Sequence, residues 1–128
     1  MVYFEIMVKS TVGFADFSKL DLRVGKVVAV EDVPGSDKLY RMSVNLGGDY
    51  GIRTIFVGVK PWYKKFQLKD KQFVFVSNLA PRRMPSFAKA SEGKPAWEES
   101  QGMMLAADGE KPVLIPVAKT ATVGAFLR

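Results

Sequence analysis

The chain has 128 residues, of which 48% are hydrophobic, and this suits a single compact domain with its own core. It contains neither cysteine nor histidine, which excludes disulfide scaffolds, thiol chemistry, the usual zinc ligands and Ser-His-Asp catalysis. Its formal net charge of +6 favours polyanionic partners, which such a protein binds in a salt-sensitive way.

The first fifteen residues are rich in apolar side chains but show no clear period, and they predict an N-terminal arm (1–15) ahead of one domain (16–128). This stretch has neither the basic lead nor the small-residue cleavage pattern of a secretory signal. No uncharged apolar run approaches the ~18 to 20 residues that are needed to cross a bilayer. We therefore expect a cytoplasmic protein that does not insert into a membrane.

Four strands are predicted between residues 22 and 77, each separated from the next by turn residues or an irregular segment. The first spans 22–33, with Gly25 as a bend or bulge. A Pro-Gly-Ser-Asp turn leads into the second, which spans 39–46 and alternates between two faces. The third and fourth strands are expected at 52–59 and 72–77.

The segment from Pro61 to Lys71 breaks the strand rhythm, and its aromatic and basic residues indicate a short helix or an irregular stretch. Exposed aromatic rings at such a place could stack on bases. At this spacing they more often close the end of a barrel. We interpret Trp62 and Phe66 as such a plug and leave the role of Tyr63 open.

The C-terminal third begins with a predicted long loop (85–99), with a helical turn around Phe87 to Ala90, followed by a fifth strand at 103–107. Two further apolar segments lie at 113–117 and 123–127. Five strands with an irregular segment between the third and fourth predict an all-β fold, a five-stranded OB-fold barrel with a short helical segment and additional C-terminal strands. A five-stranded SH3-like barrel is the alternative, because periodicity does not separate the two.

Five motifs occur in order along the chain: Asp21-Leu22-Arg23-Val24-Gly25-Lys26-Val27, Asp37-Lys38-Leu39, Arg53-Thr54-Ile55, Asn78-Leu79-x-Pro81, and Ser100-Gln101-Gly102-Met103-Met104-Leu105-Ala106-Ala107. Together they resemble the tRNA-binding domain found at the C terminus of methionyl-tRNA synthetases and in free-standing tRNA-binding proteins. The resemblance covers roughly residue 16 to the C terminus. It implies an OB fold, a homodimer closed by elements outside the barrel, and recognition of tRNA shape rather than catalysis. We expect neither a cofactor nor a metal site.

One departure from the family pattern concerns the loop that precedes the Ser-Gln-Gly-Met motif. Here 18 residues separate Pro81 from Ser100, where the family usually has a short connection. The loop between strands four and five is one of two that OB folds commonly use to hold oligonucleotides. The extra residues either extend the RNA contact through Lys89 and Lys94 or are a neutral decoration.

Seven residues are predicted to contact RNA, because basic side chains pair with phosphate and a methionine offers a soft surface to a base. Arg53 has an ion pair with an acidic residue as its alternative role, and Asn78 either reads a base edge or caps a turn. Arg23 and Gly25 are interpreted as structural. The seven are Lys38, Arg53, Asn78, Arg82, Arg83, Ser100 and Met103.

The leading functional interpretation is a non-catalytic tRNA-binding protein, free-standing or the β-chain of a methionyl-tRNA synthetase, which is then its partner. The alternative is the export-related secretion chaperone that shares this dimeric fold and binds unfolded peptides. The sequence Arg82-Arg83-Met84 resembles that subfamily. The Ser-Gln-Gly-Met motif favours the tRNA-binding branch. The arm and the segments 113–117 and 123–127 supply surplus apolar surface for the predicted homodimer.

Overall fold

The computed structural model describes residues 8–85 and 97–128, and its regular secondary structure consists almost entirely of strands. In the described residues, no helix is long and apolar enough to cross a membrane. The elements in chain order are helix α1 (Phe14–Phe17), β1 (Leu22–Asp32), β2 (Tyr40–Asn45), β3 (Ile52–Val57), a 3-10 turn (Lys65–Gln67), β4 (Gln72–Val76), β5 (Arg82–Pro85), β6 (Trp97–Ser100), β7 (Met103–Met104), β8 (Ala106–Ala107) and β9 (Val113–Leu114).

Five of these strands form one antiparallel sheet in the order β3-β2-β1-β4-β7, which curls into a nearly closed barrel. The long strand β1 makes this possible because its first half pairs with β4 and its second half with β2. The predicted all-β, OB-type barrel is therefore confirmed, as are the positions of its first four strands to within two residues at each end.

The barrel interior is filled by the alternating faces of these strands. Met42, Val44 and Leu46 are fully buried and Tyr40 nearly so, which confirms the predicted alternation of this segment between two faces. The irregularity of β1 was predicted at the wrong residue, since the register shifts between Val27 and Ala29. Gly25 instead makes room for core side chains. A methyl group there would lie 2.6 Å from Cδ1 of Phe75 and 2.9 Å from Cδ2 of Leu46.

The predicted plug of the barrel was also wrong. Trp62 is 42% exposed and Phe66 is 73% exposed, whereas Leu68 is fully buried in the core cluster. Trp62 is exposed because it lies in a tight turn, in which the N–H groups of Trp62 and Tyr63 both donate to the carbonyl of Val59. Tyr63 packs against the core and donates its hydroxyl to the carbonyl of Pro112.

The C-terminal third differs from the prediction in three ways. Residues 97–99, expected within the long loop, form β6 together with Ser100 and pair with β5 as a hairpin. The fifth strand is interrupted at Leu105, and its second part, β8, pairs with β9. Residues 124–127 bond along the open edge of β1, where the N–H of Val24 donates to Ala125 and that of Leu127 to Leu22.

Some predictions fall on residues 1–7 or 86–96 and so lie outside the described residues. These are the helical turn at 87–90, both lysines of the long loop (Lys89 and Lys94) and the first half of the N-terminal arm.

Candidate nucleic-acid interface

The Ser-Gln-Gly-Met motif closes the barrel between β3 and β7. The N–H of Gln101 donates to the carbonyl of Thr54 at 2.8 Å, and the Gln101 side-chain oxygen accepts the N–H of Thr54 at 3.0 Å. The hydroxyl of Ser100 accepts the N–H of Phe56 at 3.1 Å and donates to the carbonyl of Gly102. These bonds give hydrogen-bond partners to backbone groups on the edge of β3 that does not pair with β2.

Glycine is required at the third position of this motif. Gly102 has φ of +150°, a backbone conformation that favours glycine, and a Cβ there would come within 3.1 Å of both Ile55 Cδ1 and the carbonyl of Val76. The chain can therefore pass close to the core at this point and enter β7 directly.

The hairpin β5–β6 lies beside the barrel and is held to it by an ion-pair cluster. Arg41 on β2 donates from Nε to Glu98 on β6 and from Nη1 to Glu31 on β1, both at 2.7 Å. The hydrogen bond that Arg41 donates to Glu98 is the main reason that the pKa of Arg41 is raised above its ordinary value. Arg41 thereby ties three strands together and holds the hairpin against β3.

A cavity of about 330 Å³ lies between this hairpin and the barrel. Its wall is largely apolar, with a guanidinium and a thioether at the surface. Met103 is 46% exposed, whereas the adjacent Met104 is 7% exposed and points into the core, as successive residues of a strand must. The lining residues are Phe56, Leu79, Ala80, Arg82, Met84, Ser100, Gly102 and Met103.

Three of the seven predicted RNA contacts, Arg82, Ser100 and Met103, meet at this cavity. Arg82 is exposed, and Ser100 is buried with its hydroxyl engaged on both sides. Arg83 is exposed on β5 opposite Glu99 and is not among the lining residues.

Asn78 has a local structural role in the fold. Its side-chain oxygen accepts the N–H of Asp21 at 2.8 Å, and its amide nitrogen donates to the carbonyl of Lys19 at 2.7 Å. This arrangement corresponds to the capping alternative, because both ends of the amide hold the segment that enters β1.

Arg53 lies at the other end of β3, within an aromatic and ionic cluster. Its Nε donates to the carbonyl of Tyr50, and its guanidinium lies 5.1 Å from the Tyr50 ring centre. Arg23 lies over the same ring and over that of Phe126, at 4.9 and 4.2 Å, and it pairs with Asp21. The bond from Arg23 holds the pKa of Asp21 below its usual range. The structural interpretation of Arg23 is thus confirmed.

Lys38 lies apart from the cavity, at the end of the barrel where β2 begins. Its carbonyl accepts the N–H of Lys60, and its side chain runs against Gly58. The seven predicted residues therefore occupy several places on the barrel, and the cavity collects three of them.

The prediction missed Phe56, Leu79 and Met84, which supply most of the apolar wall. Phe56 could have been identified from the alternation of β3, since it lies on the face opposite the inward Ile55. Its burial, however, depends on the hairpin, for which the sequence has no local signal.

The chemistry of the cavity suits a flat, partly apolar group that carries a negative charge. Phe56, Leu79 and Met103 offer surfaces on which a ring can lie, and Arg82 can pair with a phosphate at the rim. Within the part of the chain that is described, no group of three or more acidic, histidine or cysteine residues could hold a metal ion.

The sequence matches curated proteins over most of its length. It is 44% identical over 118 residues to a methionine–tRNA ligase of Pyrococcus furiosus and 40% identical over 116 residues to one of Nitrosospira multiformis. These alignments cover 91% and 90% of the chain but only 14% of either ligase. The chain thus spans about one seventh of the length of these relatives.

Solved structures agree on the fold. A protein of Pyrococcus horikoshii described as related to methionyl-tRNA synthetase superposes with a TM-score of 0.78 at 30% identity, covering 94% of this chain and all of the other. The CsaA chaperone of Picrophilus torridus superposes with a TM-score of 0.74 over 92% of this chain and all of its own, but at 24% identity this likeness shows the fold alone.

The family profile described as "Putative tRNA binding domain" matches residues 22–125, which include the whole barrel, the hairpin and the start of the segment that returns to β1. Four-fifths of the chain is therefore accounted for by one family. This protein belongs to the tRNA-binding domain family.

Proposed function

We propose that this chain is a non-catalytic tRNA-binding protein that recognises a non-helical part of the tRNA fold, such as the elbow, and works in the cytoplasm. The observation that carries this proposal is the convergence of Arg82, Ser100 and Met103 on one cavity. Membership of the family supports it.

In this proposal an unpaired or splayed base lies on the apolar wall of the cavity while Arg82 pairs with its phosphate. Proteins that read RNA bases do so mostly at such unstacked positions, because the major groove of an A-form helix is too deep and narrow for side chains to enter. Met103 contributes an adaptable surface, and Ser100 holds the strand edge on which the surface is built. Lys38, Arg53, Asn78 and Arg83 stay proposed contacts that would fix the position of the RNA on the barrel.

A methionyl-tRNA synthetase is the proposed protein partner, with this chain as a free-standing tRNA-binding protein, a separate β-chain or a C-terminal-type module. The proposal is supported by the match to methionine–tRNA ligases, of which this chain spans 14%. A small module that binds tRNA without recognising its nucleotide sequence would raise the local concentration of tRNA near a catalytic subunit.

We also propose a homodimer. Phe14, Leu20 and Phe126 are 77%, 46% and 59% exposed and line a groove of about 350 Å³ with Phe17 and Leu127. Such a cluster of exposed apolar side chains usually marks an interface, and a two-fold pair is the commonest arrangement. Light scattering at micromolar concentration should give twice the mass of the 14.2 kDa chain, and a monomer mass would contradict this part of the proposal.

The function is tested by an electrophoretic shift with total tRNA, run in parallel with duplex DNA of similar charge and with an unfolded polypeptide. The expected result is a shifted complex with tRNA from which duplex DNA displaces the tRNA only weakly. Binding of the unfolded polypeptide with no shift of tRNA would instead identify a chaperone of the same fold. Equal binding of tRNA and duplex DNA would reduce the function to general attraction by a basic surface.

A further inference from the structure

A second basic and aromatic surface lies at the end of the barrel where β1 ends and β2 begins. A cavity of about 260 Å³ opens there, just below the ~300 to 1,000 Å³ usual for small-molecule sites, so it suits one ring of a larger ligand. None of its lining residues contributes to the cavity beneath the hairpin. They are Tyr40, Lys60, Pro61, Trp62, Tyr63 and Lys64, called here the Trp62 surface.

The backbone that carries this surface is held at both ends. Val59 and Leu68 are buried in the core and flank the segment. The N–H groups of Trp62 and Tyr63 both donate to Val59, and the hydroxyl of Tyr40 donates to the carbonyl of Tyr63 at 2.7 Å. The segment is therefore ordered before any ligand arrives, and binding to it loses little conformational entropy.

Two aromatic residues of this segment, Trp62 and Phe66, do not serve the core, whereas Tyr63 packs against it. Trp62 is 42% exposed and Phe66, just outside the cavity, is 73% exposed. Each presents a large flat surface to water, which is unfavourable unless a partner covers it for part of the time. Stacking on a nucleobase is such a use, and it tolerates any base because every base has a π-face.

The charge of the surface is positive. Lys60 and Lys65 contact the two oxygens of Asp32 at 3.3 and 2.8 Å, so a single carboxylate balances two ammonium groups. Within the described part of the chain, Lys64 and Lys38 have no ion-pair partner, and the Lys38 carbonyl is bonded to the N–H of Lys60. Lys64, which lines the cavity with Trp62, and Lys38, which is bonded through its backbone to Lys60 at the same cavity, are thus available for phosphate.

We propose that the Trp62 surface is a second RNA contact, at which an unpaired nucleotide stacks on Trp62 while Lys64 and Lys38 pair with the flanking phosphates. The proposal rests on the proposed function in that tRNA is the natural ligand, but it assigns a site separate from the cavity beneath the hairpin. An acidic peptide would satisfy the lysines and leave the tryptophan face without a role. A nucleotide uses both features.

The first test is titration of tRNA into four variants. Trp62→Ala should weaken binding by about 5- to 150-fold, the range for loss of one stacked base. Trp62→Phe keeps a flat ring and should retain most of the affinity, and Lys64→Glu should weaken binding strongly. Lys119→Glu makes the same change of charge at an exposed lysine outside both cavities, so it should have the smaller effect. Equal affinities for the wild type and Trp62→Ala would overturn the proposal.

The second test separates this surface from the rest of the account. Tryptophan fluorescence of the wild type is titrated with oligoadenylate and with polyglutamate, and the Trp62→Phe variant is titrated alongside. Because Trp97 also fluoresces, the signal of Trp62 is the difference between the wild type and Trp62→Phe. The expected result is quenching of this difference signal by oligoadenylate and not by polyglutamate. Quenching by polyglutamate alone would overturn the proposal in favour of an acidic protein partner. Failure of the wild type to bind tRNA, with oligoadenylate quenching intact, would contradict the proposed function and leave this contact supported.

Discussion

Met103 and Met104 offer a matched pair of substitutions that separates binding from folding. The two residues are adjacent on β7 and chemically identical, but Met103 is 46% exposed at the cavity and Met104 is 7% exposed in the core. We expect Met103→Ala to lower tRNA affinity with a modest loss of stability. Met104→Ala should lower stability and leave the affinity of the folded protein unchanged.

The magnitudes follow from these exposures. Truncation of a buried methionine to alanine costs about 2 to 5 kcal/mol of unfolding free energy, which is the expectation for Met104→Ala. Full burial of such a side chain is worth about 1.5 to 3 kcal/mol, so the exposed 46% of Met103, if a base covers it, contributes about 0.7 to 1.4 kcal/mol to binding. This corresponds to a loss of about 3- to 10-fold in affinity for Met103→Ala.

The assay is denaturant unfolding and tRNA titration on the same preparations of both variants. The reasoning is refuted if Met103→Ala loses as much stability as Met104→Ala while its affinity for tRNA is unchanged. The Ser-Gln-Gly-Met motif would then be part of the barrel alone, and its methionine would have no role in binding.

Three further outcomes are expected. Gly25→Ala should cost about 1 to 3 kcal/mol of unfolding free energy in a denaturant melt, because the new methyl lies 2.6 Å from Phe75; an unchanged melt would mean that the core yields there. Asp21 has a lowered pKa, so its carboxylate stabilises the fold above its unfolded pKa of about 3.9 and this stabilisation is lost as the pH falls through the lower folded value. The difference in stability between the wild type and Asp21→Asn should therefore be constant above about pH 5 and shrink in more acidic buffer, whereas a difference independent of pH would remove the role assigned to Arg23. Finally, three to five phosphate contacts predict a log–log salt slope of roughly 2 to 4.5 for tRNA binding, and a slope near zero would show that the basic residues do not contact RNA.

The barrel strands were predictable because each has a local signal. The alternation of β2 identifies its inward face, and the turn residues before it mark the boundary. Such signals depend on only a few neighbouring residues, so a single sequence is enough to read them.

The hairpin β5–β6 was not predictable in this way. Each strand has four residues, and the register of Arg82 with Ser100 joins positions far apart in the chain. What stabilises it is also distant, since Glu98 pairs with Arg41 on β2. The apolar wall of the cavity depends on this hairpin, so the site could be predicted only in part.

The aromatic segment shows a different limit. The composition drew attention to Trp62 and Phe66 as large aromatic side chains. Whether each is buried or exposed, however, depends on the turn at Val59 and on Leu68, which is buried in the core. The segment is irregular and has no period from which that orientation could be read.

The most direct test of the account is methionine methyl NMR during titration with tRNA. Met103 and Met84 line the cavity beneath the hairpin, whereas Met42 and Met104 are buried in the core. If tRNA binds at the cavity, the methyl signals of Met103 and Met84 shift or broaden with saturation, and those of Met42 and Met104 keep their positions. Saturation of the protein by tRNA with the Met103 and Met84 signals unmoved would contradict the central claim that this cavity is the tRNA-binding site.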